Sequence, residues 1–83
     1  MGALARTPKQ LGEIIQRKRR QAGLSQSEIG KRVGLRQATV SQIEAGYHAT
    51  KIAVLCDLLA ALDLELTVAP RSNGAATDIE DIF

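Results

Sequence analysis

The sequence predicts an all-α fold of four to five helices, with a C-terminal β-strand that pairs across a dimer. Three observations carry that prediction. Aliphatic residues recur at helical spacing between Leu11 and Leu62. Helix-start and helix-stop residues punctuate the same stretch at short intervals. After Leu62 the period changes to alternation over Leu64-Glu65-Leu66-Thr67-Val68, and a single short strand in a helical domain has no partner within its own chain.

The first helix starts at Thr7-Pro8, where Thr caps and Pro loses nothing by lacking an N–H. Leu11, Ile14, Ile15 and Ala22 follow on one stripe with the stem of Lys18, and Gly23 ends the helix. The run Arg17-Lys18-Arg19-Arg20 lies in its last turns, where positive charge suits the helix dipole. Ser25 and Glu28 then form a Ser-x-x-Glu capping box, with Leu24 and Ile29 spaced as a hydrophobic staple. That second helix runs to Val33, and Gly34 stops it. A third covers about Gln37 to Ala45, with Val40 and Ile43 inward and Gly46 closing it.

Thr50 is the expected cap of a fourth helix carrying Ile52, Val54, Leu55, Leu58, Leu59 and Leu62. It is apolar over more than one face, wider than packing on three short helices requires. The strand that follows ends at Pro70. Its simplest partner is the same strand of a second copy across a two-fold axis, placing Leu62, Leu64, Leu66 and Val68 in a homodimer interface. The alternative is an extended segment lying over helix four. The chain thus divides into a flexible N-terminus (1–6), a domain for dimerisation (7–69) and a flexible tail (70–83).

Composition narrows the function. At 83 residues the chain has room for one domain, and a domain this small buries only roughly 60% of its unfolded surface. With one Tyr, one Phe and no Trp, the core must be aliphatic. The single cysteine, Cys56, excludes an intramolecular disulfide and a cysteine-based zinc site; within an apolar run it reads as a small buried hydrophobe. One His and no convergent acids leave no metal site, cofactor or catalytic constellation to assign, so an enzyme is not expected. Met1 to Gln10 lack an apolar run of secretory length and no segment spans a bilayer, so the expected location is the cytoplasm, away from membranes. Residues 1–51 carry a net charge of +7 and residues 52–83 a net charge of −5. The basic front half suits a polyanion, and the acidic back half marks a second surface.

The most informative stretch is Leu24 to Gly46, LSQSEIGKRVGLRQATVSQIEAG. A helix-turn-helix needs a small inward residue on its first helix, met by Gly30, and a residue tolerating positive φ at the turn, met by Gly34. Ile29, Val33, Leu35, Val40 and Ile43 are apolar where the two helices share a core. The outward face of the third helix then carries Gln37, Ala38, Ser41 and Gln42, with Arg36 at its start. These side chains suit base edges in a major groove: Gln on adenine, Ala on a thymine methyl, Arg on guanine. Gln26 stands at a helix N-terminus, suited to a phosphate.

The signature Ser25-Gln26, Gly34 and Ser41-x-Ile43-Glu44-x-Gly46 resembles the repressor-type helix-turn-helix family of phage repressors and bacterial regulators, over about residues 11–62. The resemblance implies a repressor-like DNA-binding domain for double-stranded DNA, and the dimer reading predicts a palindromic operator. It implies that Gln26 and Gln42 contact phosphate, while Gln37, Ala38 and Ser41 face bases. It also implies that Glu44 pairs with Arg19, whereas the residues alone leave open that either side chain is solvated. Arg17, Lys31, Thr39 and Lys51 complete the expected phosphate contacts.

The whole layout, with Arg36-Gln37-Ala38-Thr39-Val40-Ser41, the Leu64–Val68 strand and the tail, further resembles HipB-type antitoxins. That resemblance implies a dimer that represses its own operon and binds a HipA-type kinase toxin, with Ile79, Ile82 and Phe83 as a docking segment. The tail's alternative reading is plain disorder. The alternative function is a free-standing regulator, such as a restriction–modification controller or a phage-type repressor. His48 reads as a surface residue or phosphate contact, Tyr47 as a backbone contact or cover for the core edge, and Asp57 and Asp63 as solvated.

Overall fold

Local chemistry sets where each helix begins and ends. The computed structural model describes residues 3–71, in which four helices follow one another: α1 (Pro8–Gln21), α2 (Gln26–Val33), α3 (Gln37–Glu44) and α4 (Ile52–Ala61). The Thr7 hydroxyl accepts from the Gln10 N–H at 3.1 Å, with Pro8 in the first turn. The capping box of α2 is complete: Ser25 Oγ accepts from the Glu28 N–H at 3.0 Å, and Glu28 Oε1 accepts from the Ser25 N–H at 2.9 Å. These bonds to Ser25 hold the Glu28 carboxyl below its ordinary range. By contrast, α3 and α4 start at Arg36 and Lys51 without a side-chain cap. The expected cap from Thr50 is not made, because α4 starts one residue later with Lys51 in the cap position, and the Thr50 hydroxyl donates to the Tyr47 carbonyl at 3.1 Å within the loop.

All four helices stop the same way. A residue in the left-handed region follows each one: Gly23 (φ 73°), Gly34 (74°), Gly46 (95°) and Asp63 (59°). The N–H of the next residue then returns to the carbonyl five positions back, Leu24 to Arg19, Leu35 to Gly30, Tyr47 to Gln42 and Leu64 to Leu59. That is the Schellman closure, and in each case the returning residue is apolar or aromatic. At Gly34 it gives the sharp turn that brings α3 back across α2, where a Cβ would be strained.

Each helix supplies one wholly buried side chain, Ile15, Ile29, Val40 and Leu58, and Ile43, Leu59 and Leu62 complete the core. Helix α2 packs on α3 and α4, and α1 packs on α3. Two contacts are too close for any side chain. A Cβ on Gly30 would lie 2.6 Å from the Leu35 carbonyl oxygen, and one on Gly12 would lie 2.5 Å from the carbonyl oxygens of both Ile43 and Glu44. Gly30 was legible in the sequence; Gly12 was not singled out there, although it shares a helical face with Ile15 and Arg19.

Several expectations need correction. Ala22 leaves the apolar stripe of α1: it is the exposed C-cap residue. Cys56 is exposed rather than buried, because α4 turns Leu55, Leu58, Leu59 and Leu62 inward and Ile52, Ala53, Cys56 and Ala60 outward. Among the described residues there is no strand and no fifth helix. Residues 64–70, where a strand was expected, carry no secondary structure. Leu64 packs on the core, whereas Leu66 and Val68 are 46% and 103% exposed.

Gly12→Ala tests the α1–α3 contact. Alanine favours a helix by about 1 kcal/mol over glycine, yet the clash with two backbone carbonyls should outweigh that. Urea unfolding should show a net loss of about 1–3 kcal/mol; an unchanged or raised midpoint would contradict the packing.

Candidate nucleic-acid interface

The site rests on a buried charge pair. Arg19, near the end of α1, and Glu44, at the end of α3, are 7% and 6% exposed. Arg19 Nε donates to Glu44 Oε2 at 2.6 Å and Nη2 donates to Oε1 at 3.0 Å, a two-pronged geometry. Arg19 Nη1 donates to the Leu24 carbonyl at 2.8 Å, tying in the loop before α2. The pair expected from resemblance is therefore present, and neither partner is solvated.

The network continues outward. Gln26, in the first turn of α2, donates from Nε2 to Glu44 Oε1 at 3.1 Å. Gln37, in the first turn of α3, donates from Nε2 to Gln26 Oε1 at 2.6 Å. A continuous line of hydrogen bonds thus runs from the core of α1 to the exposed start of α3. Burial alone would push the Glu44 carboxyl up. The bonds from Arg19 and Gln26, the Arg19 charge and the Gln16 side chain oppose this and hold it below its ordinary value. Arg19 is in turn stabilised in its charged form by the bond to Glu44. The links through Gln16 and Gln26 had no signal in residue type; only the helical spacing of Gly12, Gln16 and Arg19 hinted at that face.

The residues expected at base edges lie together on α3: Arg36, Gln37 and Ala38 are exposed and Ser41 is half-buried. Of those expected at phosphates, Arg17, Lys31, Gln42 and Lys51 are exposed, and Gln26 and Thr39 are half-buried. Tyr47 and His48 are exposed beside each other after α3, with ring centroids 5.5 Å apart. Asp57 and Asp63 face solvent. Ile79, Ile82 and Phe83 lie outside the described residues. Among those described, no cluster of His, Cys, Asp and Glu could hold a metal ion, and no helix is long and apolar enough to cross a membrane.

Residues 15–68 match a family model described as helix-turn-helix. The chain is 31% identical over 74 residues to the antitoxin HipB of Escherichia coli (strain K12), a match covering 89% of this chain and 84% of that protein. An uncharacterised helix-turn-helix transcriptional regulator of Sinorhizobium fredii (strain NBRC 101917 / NGR234) is 44% identical over 48 residues, 58% of this chain and 24% of that one. Among solved structures, a chain of a HipB–O4 20mer complex is similar with a TM-score of 0.75 at 31% identity, over 82% of this chain and 96% of the other. A chain from a HipA–HipB–O2–O3 complex gives the same values, TM-score 0.75 at 31% identity over 82% and 96%.

The charge pair makes stability depend on pH with a definite sign. Because the folded carboxyl sits below its ordinary value of 4.5, its contribution is complete above that pH and is lost as the pH falls below it. Wild type should exceed Glu44→Gln in thermal stability at pH 7, with the gap closing on acidification towards pH 3. Glu44→Ala, which strands Arg19, should cost about 3 kcal/mol at neutral pH. A gap between wild type and Glu44→Gln that persists undiminished in acid would contradict this account.

Proposed function

The chain belongs to the helix-turn-helix family and to the family of the HipB antitoxins, and we propose that it is a sequence-specific repressor acting as an antitoxin. It binds the palindromic operator of its own operon as a homodimer in the cytoplasm and holds a HipA-type kinase toxin. It is a binding module rather than an enzyme. The observation that carries the DNA reading is Gln37. It stands exposed at the start of α3, held on α2 by Gln26 while one N–H and its oxygen remain available. Arg36, Ala38 and Ser41 extend the same reading surface. Arg17, Lys31, Thr39, Gln42 and Lys51 flank it for phosphates, joined by the second Nε2 hydrogen of Gln26. A similar chain in a HipB–O4 20mer complex supports this docking, and one in a HipA–HipB–O2–O3 complex supports the toxin partner.

The homodimer reading draws on what one chain leaves uncovered. Leu62 and Leu64 serve the chain's own core, while Leu66, Val68 and the outward residues of α4 stay exposed. Paired with a second copy, residues 64–68 gain the ladder they lack alone. A free-standing regulator is the second reading, favoured by the match to the Sinorhizobium regulator over the helix-turn-helix stretch. The two readings part at residues 71–83, which include Ile79, Ile82 and Phe83: removing them should leave DNA binding intact in both and weaken a protein complex only in the first.

Gln37→Ala should remove preference for one base pair per half-site, at a cost of roughly 1–3 kcal/mol against the preferred site only. Arg17→Ala should instead weaken all sequences alike and lower the salt dependence of binding. Equilibrium binding to a selected operator and its single-base variants distinguishes them; unchanged preference in Gln37→Ala would overturn the docking orientation.

Leu66→Asp should convert the dimer to a monomer in analytical ultracentrifugation and lower operator affinity. Wild type that is monomeric and binds its operator fully would overturn the dimer reading.

A further inference from the structure

We propose that the buried Glu44 is a positioning residue for base specificity, setting through Gln26 which way round Gln37 presents its amide. The inference rests on the reading of α3 as the base-contacting helix. Its basis is hydrogen-bond polarity. An ionised carboxylate can only accept, so the Gln26 side chain must turn its NH2 group to Glu44 Oε1, as it does at 3.1 Å. That choice leaves Gln26 Oε1 facing Gln37, where it can only accept. Gln37 must therefore give one Nε2 hydrogen to Gln26, the 2.6 Å bond observed.

What remains on Gln37 is fixed by subtraction. Its oxygen and one N–H face outward, one acceptor beside one donor. Adenine offers the complementary pair in the major groove, an N6 donor beside an N7 acceptor, whereas guanine offers two acceptors. A side-chain amide on its own can turn over and hide this distinction. Here the turn is blocked by a charge that itself cannot move, since Arg19 grips both oxygens of Glu44. Each link is a single contact, and the ion pair at its root is almost wholly out of water.

Reversing the root should reverse the tip. In Glu44→Gln the side chain keeps its oxygen on Arg19 and presents an NH2 group to Gln26. Gln26 then turns over, its own NH2 group faces Gln37, and Gln37 answers with its oxygen. Two donors are left for the base, the pattern that suits guanine.

The test is selection from random duplex DNA, followed by equilibrium binding, with the full chain as wild type, Gln37→Ala, Glu44→Gln and Gln26→Leu. Gln37→Ala identifies the half-site position that Gln37 reads. At that position wild type should prefer adenine, and Glu44→Gln, with its helical fold checked by circular dichroism, should lower the adenine-to-guanine ratio roughly tenfold. Gln26→Leu, which leaves the ion pair in place, should lower overall affinity and bring the same ratio towards parity. A merely structural role for Glu44 would weaken all sites equally. An adenine-to-guanine ratio unchanged in Gln26→Leu overturns the inference, whatever the stability of Glu44→Gln, and leaves the DNA reading intact. Wild type that selects no sequence at all overturns both.

Discussion

The Arg19–Glu44 pair is the constraint around which the domain is arranged. Taking two ions out of water costs several kcal/mol each, and mutual attraction returns this only with good geometry and further hydrogen bonds. Both conditions hold: two bonds join the pair, a third reaches the Leu24 carbonyl, and Gln26 adds a donor to the carboxylate. Among the described residues no buried side-chain polar atom is left without a partner. Such a pair adds little net stability over an apolar alternative of the same shape, but it tolerates few arrangements. It requires the C-terminal turn of α3 to cross α1 at one register. Gly12 permits the approach by leaving room for the carbonyls of Ile43 and Glu44.

With α1 and α3 fixed, α2 has little freedom. Gly30 lets it lie against the Leu35 carbonyl, and the left-handed Gly34 turns the chain within the three residues between α2 and α3. The seven-residue core is then small and aliphatic, with one fully buried side chain from each helix. A core of this size leaves modest net stability. The repeated helix closure compensates in part, because each helix end satisfies its own carbonyls and places a Leu or Tyr at the joint.

The sequence shows this frame where the cause is local. Thr7-Pro8, the Ser25–Glu28 box, Gly23, Gly34 and Gly46 act on their near neighbours, so their roles are legible from spacing alone. It is less informative where an outcome depends on a competing contact. Thr50 has the right chemistry for a cap, but the helix starts one residue later, with Lys51 in the cap position. Cys56 sits in an apolar run, and nothing in that run says which side of α4 has a neighbour. Gly12 reads as a weak helix former until α3 is seen against it. The residues expected at base edges were visible as a type, while the line of bonds behind them joins residues 11 to 25 positions apart and had no one-dimensional signature.

Two surfaces remain, and they divide the chain's chemistry between them. One is built on α3 and the basic residues of the front half. It needs a rigid backing, because short polar side chains discriminate bases only when their donors and acceptors are held in place. The buried pair backs Gln37 through Gln26, so under the proposed docking stability and specificity would share the same four side chains. The other surface is the outward side of α4 with Leu66 and Val68, apolar and uncovered in one chain. It has no comparable network and needs none, since apolar contact is non-directional and scales with area. In the proposed homodimer, a small domain whose core is barely sufficient would gain stability and two-fold symmetry from the same contact. Two-fold symmetry is also what lets a pair of short helices read twice the sequence that one can.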